Sequence, residues 1–277
     1  MVIDFHTHTF PDSIAEKAIS KLSKASHTVA FANGTSKGLL TSMSEAGIDI
    51  SVVLPVVTNP DKTVSINDFS AKMNQEKNGL VYFGGIHPQT NEPEKELKRI
   101  KDMGIKGIKI HPVYQGTPID DIKYLRILDK AGELGLIVVT HGGNDIGFPG
   151  CVMCSPKQIA NAVRQVGNVR LVSAHLGGWR NWDEVFMLCE YKNILIDTSF
   201  SLGRITPADN YYSDQELNML NEKEFVGIVN LFGEKRVLFG TDSPWGSQKE
   251  ELQKFKNLPI DEDKKEYILY KNAKGIL

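Results

Sequence analysis

Two histidines, His6 and His8, stand two residues apart near the start of the chain, in the stretch MVIDFHTHTF. In a β-strand, residues i and i+2 point to the same face, so this spacing directs both imidazoles at one point. Imidazole is a common ligand of divalent metal ions. The pair alone is equally typical of two hydrogen-bonded polar residues at a strand end, and the rest of the chain must decide between these interpretations.

The other histidines favour the metal site. The chain has 7 histidines, and all except His27 fall at or just past the C-terminal end of a predicted strand: His6, His8, His87, His111, His141 and His175. Asp242, in VLFGTDSPWG, follows the last predicted strand and adds a carboxylate. Neutral imidazole and carboxylate are ligands of a zinc-like ion, and a catalytic site leaves one coordination position open for water.

Eight short β-branched runs, each separated from the next by an amphipathic segment, set the positions of these side chains. The predicted strands lie near Val2–His6, Ile50–Val57, Leu80–His87, Gly107–His111, Leu136–His141, Val169–His175, Ile194–Ser199 and Val237–Asp242. The predicted helices include NEPEKELKRIKDMG, DDIKYLRILDKAGELG, SPKQIANAVRQVG and NWDEVFMLCEYK. Such alternation is typical of a parallel sheet with helical crossovers.

The fold class predicted from this pattern is α/β, as a single (β/α)8 TIM barrel that occupies residues 1–277 as one domain. Eight βα units in about 250 residues are the size of that fold, whose strands end at the active-site face. Because strand eight closes beside strand one in such a barrel, Asp242 can reach the same point as His6 and His8. A doubly wound open sheet is the alternative, but HTHTFPD stands where its Gly-rich phosphate loop would follow the first strand.

Composition limits the class of partner. The 32 basic and 34 acidic residues give a net charge of −2, with no long basic run, so nothing indicates nucleic acid or a membrane surface. The N-terminus lacks a secretory signal, and no apolar run is long enough to span a bilayer. A chain this large with 3 cysteines needs no disulfide framework, so a reducing cytoplasm is the expected compartment. A homo-oligomer is compatible with this composition.

Four motifs together, DFHTHTFPD, VTHGG, SAHLGG and GTDSPWG, resemble the amidohydrolase superfamily. Within it they are similar to the amidohydrolase 2 branch, which also holds the aromatic-acid decarboxylases. The closing YILYKNAKGIL is similar to the final helix of that branch, so the resemblance covers the whole chain.

The resemblance implies a role for each strand-end residue. His6 and His8 match the ligands of strand one, and His141 matches the ligand of strand five. His175 matches the strand-six histidine, which binds a second metal in binuclear members and contacts water or substrate in mononuclear ones. Asp242 matches the aspartate that touches the metal and takes a proton from its water, so the catalytic residues expected are Asp242 and His175.

Asp4 and Lys109 each have two open interpretations. Asp4 shares the parity of His6 and His8, and either orients a ligand imidazole or is a buried carboxylate satisfied by backbone and by hydroxyls such as that of Thr241. Lys109 lies at the end of strand four, where binuclear relatives carry a carbamylated lysine or a glutamate between two metals. It is otherwise suited to bind a substrate carboxylate or to pair with an acid, and a single metal is preferred.

The remaining candidates are open to a functional and to a purely structural interpretation. His87 and His111 both precede proline, so a turn that starts a loop explains either of them. Trp179, Arg180 and Arg204 lie in loops of the catalytic face and suit a planar or carboxylated ligand, but packing and solvent contacts explain them equally well. We include Lys109, His111, Trp179, Arg180 and Arg204 as candidate substrate-binding residues. Cys151 and Cys154 form CVMC without a second pair, which favours reduced loop cysteines over a metal knuckle.

The predicted function is therefore hydrolysis of a small organic substrate by a water bound to one divalent ion, preferably Zn²⁺, with a second metal as the alternative. The bond is an amide, ester, lactone or lactam. The alternative enzyme is a metal-dependent decarboxylase, a lyase, that acts on a planar carboxylic acid. A barrel that binds a metal or ligand without catalysis is the remote alternative, since a binder needs no proton-accepting Asp242. The partner expected is a small molecule, carboxylated or planar.

Overall fold

The computed structural model describes residues 1–277 and contains nine short strands. They are β1 (Ile3–Thr7), β2 (Ile50–Val53), β3 (Leu80–Tyr82), β4 (Gly84–Gly85), β5 (Gly107–Ile110), β6 (Ile137–Thr140), β7 (Arg170–Ser173), β8 (Ile194–Asp197) and β9 (Val237–Leu238). Every predicted strand therefore has an observed counterpart, and the third is divided into β3 and β4.

Ten α-helices lie among the strands. They are α1 (Asp12–Ser26), α2 (Ser36–Ala46), α3 (Thr63–Met73), α4 (Pro93–Asp102), α5 (Ile122–Glu133), α6 (Pro156–Gln165), α7 (Glu222–Phe232), α8 (Gln248–Asn257), α9 (Glu262–Glu266) and α10 (Asn272–Ile276). Short 3₁₀ turns lie at Pro60–Lys62, Asn74–Glu76, Trp182–Leu188 and Glu234–Arg236, and a π-helical turn lies at Tyr267–Lys271. None of these helices combines the length and the apolar character needed to cross a bilayer.

Three of the four helices predicted from amphipathic segments are observed as α4, α5 and α6, and the fourth is not an α-helix. Residues Trp182–Leu188 form a 3₁₀ helix instead, and Asn181 provides no side-chain cap at its start. By contrast, Ser155 and Gln158 form a capping box at the start of α6, which satisfies two backbone donors there.

The chain divides into two compact units. The first unit consists of Met1–Val53, Ile146–Pro149 and Asp197–Leu277. In it β1 runs parallel to β2, and all five residues of β1 are buried, as expected for a strand covered on both faces. The prediction of a single domain over 1–277 stays a prediction.

The second unit consists of Leu54–Asp145 and Gly150–Ile196. Its strands β4 to β8 lie side by side in parallel, in an unbroken register that pairs Gly84 with Ile108, Ile108 with Val138, Val138 with Leu171, and Leu171 with Ile194. Because parallel strands in register end at one edge, residues that follow β5, β6 and β7 lie near one another.

The third predicted strand is broken by a side chain that replaces a neighbouring strand. The Asn67 amide accepts a hydrogen bond from the Gly85 N–H at 2.8 Å and donates one to the Gly85 carbonyl at 3.0 Å. A Cβ on Gly85 would lie 2.6 Å from Val57 Cγ2, so only glycine fits this contact. The break follows from a tertiary contact that no local pattern encodes.

Several strands end earlier than predicted, and the residues after them form tight turns. β7 ends at Ser173 and β9 at Leu238, so His175 and Asp242 lie in loops. Both have left-handed backbone conformations, with φ of 59° for His175 and 61° for Asp242. A non-glycine residue in this region costs about 1–2 kcal/mol, and such strain concentrates where side chains must be aimed.

Candidate metal centre

The first group of candidate residues lies wholly in the first unit. His6 belongs to β1, and the segment around Asp242 runs beside the end of that strand. The Asp242 N–H donates to the His6 carbonyl at 2.9 Å, and the His8 N–H donates to the Ser243 carbonyl at 2.7 Å. These backbone bonds hold Asp242 against the strand that carries both histidines.

The side chains of His6, His8 and Asp242 converge on one point, and we call these three residues the metal triangle. The His6 Nε2 and His8 Nε2 atoms are 3.2 Å apart. Asp242 Oδ1 lies 3.3 Å from His6 Nε2 and 3.2 Å from His8 Nε2. The sequence prediction that these three residues share one site therefore agrees with their placement.

This donor set fits a divalent ion. Tetrahedral bonds of about 2.0–2.1 Å place neighbouring donor atoms about 3.3 Å apart, which is the spacing of the triangle. Neutral imidazole nitrogen and carboxylate oxygen both offer electron pairs, so three of them facing one another need a cation or a shared proton between them, and a divalent ion meets this need. A six-coordinate ion with slightly longer bonds suits the same spacing, so the triangle specifies a divalent ion and not which one.

The opposite ring nitrogen of His6 faces Asp197, a residue that the sequence analysis did not select. His6 Nδ1 lies 2.8 Å from Asp197 Oδ2 and 3.0 Å from Ser199 Oγ. Both the Asp197 carboxylate and the His6 ring are fully buried. The signal that could have identified Asp197 is its place as the only acid near the end of the seventh predicted strand, in LIDTSF, which is β8 of the structure.

Asp4 holds the backbone of β1 and no imidazole. Its carboxylate accepts hydrogen bonds from the His6 N–H at 3.2 Å and from the Thr241 N–H at 3.0 Å. It also accepts from Thr241 Oγ1 at 2.6 Å and from Gln248 Nε2 at 2.7 Å. Burial raises the pKa of Asp4 to about 7, although these hydrogen bonds oppose the rise. This placement matches the structural interpretation of Asp4.

The second group lies wholly in the second unit, and we call His111, His141, His175 and Asp145 the imidazole cluster. The rings of His111 and His141 are stacked, with centroids 4.3 Å apart. His175 Nε2 lies 3.1 Å from His141 Nδ1. Asp145, another residue that the sequence analysis did not select, places Oδ2 3.4 Å from His111 Nε2 and 3.8 Å from His141 Nε2.

Backbone groups fix which ring nitrogens of this cluster carry protons. His141 Nε2 lies 2.8 Å from the Asn144 carbonyl, to which it donates. His111 Nδ1 accepts from the Tyr114 N–H at 3.5 Å, so neutral His111 carries its proton on Nε2, facing Asp145. Both Nε2 atoms beside Asp145 therefore carry a hydrogen and have no electron pair for a metal. For this reason His111, His141 and Asp145 do not fit a metal ion. The electron pair of His141 is left on Nδ1.

The imidazole cluster is poorly hydrated and lies near charges of both signs, the Asp145 carboxylate and the Lys109 ammonium. Burial lowers the pKa of His141 to about 3, with further lowering from His111 and from the Lys109 ammonium, while Asp145 opposes the shift. Lys109, on β5, is 1% exposed. His141 is therefore neutral at any physiological pH, as a metal ligand must be.

His87 forms the turn that its following proline predicts. Its Nδ1 accepts from the Gln89 N–H at 3.1 Å, which fixes the loop after β4. Burial lowers the pKa of His87, with a smaller contribution from Lys123. These contacts match the structural interpretation of His87.

The two candidate arginines have different surroundings. Arg204, in the first unit, donates to Asp214 Oδ1 at 2.5 Å, and its side chain is 48% exposed. Arg180, in the second unit, stacks over the ring of Trp179, with its guanidinium carbon 4.9 Å from the ring centroid. Trp179 is 8% exposed, so this pair is a more enclosed platform than the Arg204–Asp214 pair.

The three cysteines form no disulfide. Cys154 is buried with its thiol 3.7 Å from the Gly143 carbonyl, and burial holds the pKa of that thiol well above its usual range. A thiol in this state is a poor nucleophile and a poor metal ligand. Cys154 therefore packs in the second unit, as expected for a loop cysteine.

Comparisons with known proteins find a matching family model and curated relatives. The amidohydrolase family model (Amidohydro_2) matches residues 3–277. A 2-amino-3-carboxymuconate-6-semialdehyde decarboxylase of Dictyostelium discoideum is 25% identical over 217 residues, which are 65% of this chain and 55% of that protein. A D-hydantoinase of Rhizobium radiobacter is 29% identical over 150 residues, 51% of this chain and 29% of that protein. The chain thus matches about half or less of the length of these curated relatives.

Solved structures show the fold. An uncharacterised TIM-barrel protein from Bordetella bronchiseptica matches with a TM-score of 0.75 and 18% identity, over 99% of this chain and 97% of that one. A dihydroxybenzoic acid decarboxylase from Polaromonas, with bound manganese and the inhibitor 2-nitroresorcinol, matches with a TM-score of 0.69 and 14% identity, over 99% and 96%. The predicted TIM-barrel fold is therefore confirmed.

Proposed function

The chain belongs to the amidohydrolase family, as its motifs predicted, and on that premise we propose that it is a metal-dependent lyase that removes CO₂ from a small planar carboxylic acid. The observation that carries the proposal is the metal triangle, in which His6, His8 and Asp242 place three donor atoms 3.2–3.3 Å apart. A centre of this kind serves decarboxylation and hydrolysis alike, so the choice between them rests on other features.

Two features favour the lyase over the predicted hydrolase. Relatives named as decarboxylases occur among both the curated proteins and the solved structures. The second feature is the positive charge of Lys109, which is 1% exposed and lowers the pKa of His141. A buried ammonium beside neutral imidazoles suits a carboxylate ligand, since the charge attraction is strong where water is excluded.

The reaction breaks the bond between the carboxylate and its ring carbon. CO₂ leaves, the electron pair stays on the ring carbon, and a proton then takes the place of the carboxylate. A bound divalent ion supplies positive charge that orients the substrate oxygens and stabilises the negative charge of the transition state. We assign proton transfer to Asp242 and His175, and substrate orientation to Lys109, His111, Trp179 and Arg180.

The metal site takes one divalent ion per chain in this proposal. Asp197 and Ser199 face His6 Nδ1, so the electron pair of His6 lies on Nε2, on the side of the ion. His8 and Asp242 supply two further ligand atoms. His141 offers its Nδ1 electron pair in the second unit, and its role as a ligand stays a prediction from the resemblance. Zinc suits these ligand types, and manganese, which is bound in a decarboxylase of this fold, is the competing ion.

Hydrolysis of a cyclic amide is the second candidate function, because the chain is also similar to a D-hydantoinase. There Asp242 would accept a proton from the attacking water instead of delivering one to carbon. The two functions share every residue of the metal triangle and differ in the bond that breaks.

The test is a direct comparison of products. The protein is stripped of metal, reloaded with Zn²⁺ or Mn²⁺, and incubated with dihydroxybenzoic acids and with a hydantoin, while CO₂ release and ring opening are measured. We expect CO₂ from a carboxylic acid only with metal, and a large loss in Asp242→Asn. Ring opening of the hydantoin without CO₂ from any acid would replace the lyase by the hydrolase.

A further inference from the structure

We infer that Asp197 and Ser199 are positioning residues that fix the proton of His6 on Nδ1 and so hold its Nε2 electron pair in the metal triangle. The inference rests on the proposed metal site and adds two residues to it. All the groups concerned lie in the first unit, near the ends of β1 and β8.

The hydrogen bonds around His6 allow one assignment of protons when the ring is neutral. Ser199 donates from Oγ to Asp197 Oδ1 at 2.5 Å, so its hydroxyl hydrogen is already placed. The Ser199 N–H also donates to Asp197 Oδ1, at 3.1 Å. Ser199 Oγ and Asp197 Oδ2 therefore both face His6 Nδ1 as acceptors, and the hydrogen must be on that nitrogen.

The fixed proton determines what the other side of the ring can do. With Nδ1 protonated, neutral His6 carries an electron pair on Nε2, 3.2 Å from His8 Nε2 and 3.3 Å from Asp242 Oδ1. The opposite form would direct an N–H at the point where the ion must lie. A carboxylate on the far nitrogen also increases the electron-donating strength of a ligand imidazole.

The surroundings leave this arrangement little freedom. Asp197 and Ser199 are both 0% exposed, so water cannot replace either acceptor. A Cβ on Gly240 would lie 2.9 Å from the His6 Cβ and 3.4 Å from the Ser199 Cβ, so glycine there makes room for both side chains. The ring of His6 is thus held in place as well as in protonation form.

A neighbouring residue provides a matched control. Thr198 is buried between Asp197 and Ser199, and its hydroxyl accepts from the Gly240 N–H at 2.9 Å and donates to the Gly240 carbonyl at 3.0 Å. It holds the same edge of the sheet without a hydrogen bond to His6. Thr198→Val therefore removes a buried hydroxyl beside the site and leaves the acceptors of His6 in place.

The experiment measures metal affinity rather than turnover. The metal-free full chain and the variants Asp197→Asn, Ser199→Ala and Thr198→Val are titrated with Zn²⁺ and Mn²⁺ against a chromogenic chelator, and thermal unfolding is recorded for each. In Asp197→Asn the amide can donate to His6 Nδ1 and stabilise the wrong form of the ring. We expect its Kd to rise about 10- to 100-fold, since loss of such a partner has this effect in other metal sites.

The other two variants distinguish a loss of His6 positioning from a general loss of stability. We expect a smaller rise of Kd in Ser199→Ala, which keeps the carboxylate, and a lower Tm with unchanged Kd in Thr198→Val. Should Asp197→Asn fail to fold, Ser199→Ala against Thr198→Val carries the comparison. A wild-type Kd in both Asp197→Asn and Ser199→Ala would overturn the inference and leave the proposed function standing. Failure of the wild-type chain to bind either ion would overturn both.

Discussion

The metal triangle and the imidazole cluster contain the same residue types at equivalent strand ends, yet the facing atoms of the triangle suit a divalent ion and the Nε2 atoms that face Asp145 in the cluster do not. In the triangle, the far nitrogen of His6 faces the acceptors Asp197 and Ser199, which leaves an electron pair on the near nitrogen. In the cluster, the far nitrogen of His111 accepts a backbone N–H, which leaves a donor on the near side. The hydrogen-bond partner of the remote nitrogen therefore decides whether a buried histidine acts as a metal ligand or as a hydrogen-bond donor.

Replacement of a triangle residue should have the largest effect. We expect Asp242→Asn to lower turnover by about 10²- to 10⁴-fold, because an amide cannot exchange the proton that the reaction needs. Its oxygen can still face the ion, so the metal content should fall less than in His6→Ala. Elemental analysis and single-turnover rates measure the two effects. Turnover close to that of wild type in Asp242→Asn would remove Asp242 from the chemistry.

The imidazole cluster should make the protein sensitive to acid. The pKa of His141 is about 3 in the folded chain, against 6.5 for an ordinary histidine, so below pH 6.5 the unfolded state binds a proton that the folded state does not. Stability from this group is therefore complete above pH 6.5 and is lost as the pH falls toward 3, by about 2 kcal/mol at pH 5.

The check is urea unfolding of the metal-free protein between pH 7 and pH 4. His141→Gln keeps an amide donor for the Asn144 carbonyl and removes the titrating ring. Its free energy of unfolding should depend less steeply on pH than that of wild type. Parallel curves for the two proteins would show that His141 does not contribute this acid sensitivity.

A smaller effect should distinguish His111 from the triangle residues. His111→Asn can keep an acceptor for the Tyr114 N–H and removes the Nε2 donor that faces Asp145. Loss of one hydrogen bond of about 0.5–1.5 kcal/mol should raise KM about three- to tenfold, with the metal content unchanged. A loss of metal equal to that in His6→Ala would contradict the distinction between the two groups.

The smallest effect is expected at Arg204. Its guanidinium pairs with Asp214 on the surface, and the side chains are 48% and 92% exposed. A pair of this kind contributes about 0.2–1 kcal/mol at most, so Arg204→Ala should leave KM and metal content unchanged. Arg180→Ala, which removes the guanidinium that stacks on Trp179, is the matched comparison and should raise KM for a carboxylated substrate. Equal effects of the two variants would indicate that neither arginine selects the substrate.

The sequence predicted the positions of the strands better than their ends. β-branched runs located every strand, because parallel strands covered on both faces must be apolar along their length. The patterns did not show that the third strand breaks at Phe83, close to Gly85, which hydrogen-bonds to Asn67 from 18 residues away. They also did not show that Trp182–Leu188 forms a 3₁₀ helix. Strand ends depend on contacts with distant segments, which a local pattern cannot encode.

By itself the sequence determined the residue types, the parity of His6 and His8, and the strand-end positions of Asp242 and the histidine set. These are local properties, fixed by the two-residue period of a strand and by the alternation of strands and helices. Only the tertiary structure decided which nitrogen of each ring carries the proton, because residues 191 and 193 positions away supply the partners of His6. Asp197 went unselected for this reason: a single acid near a strand end has no spacing pattern, and its role arises only where the folded chain places it against the histidine ring.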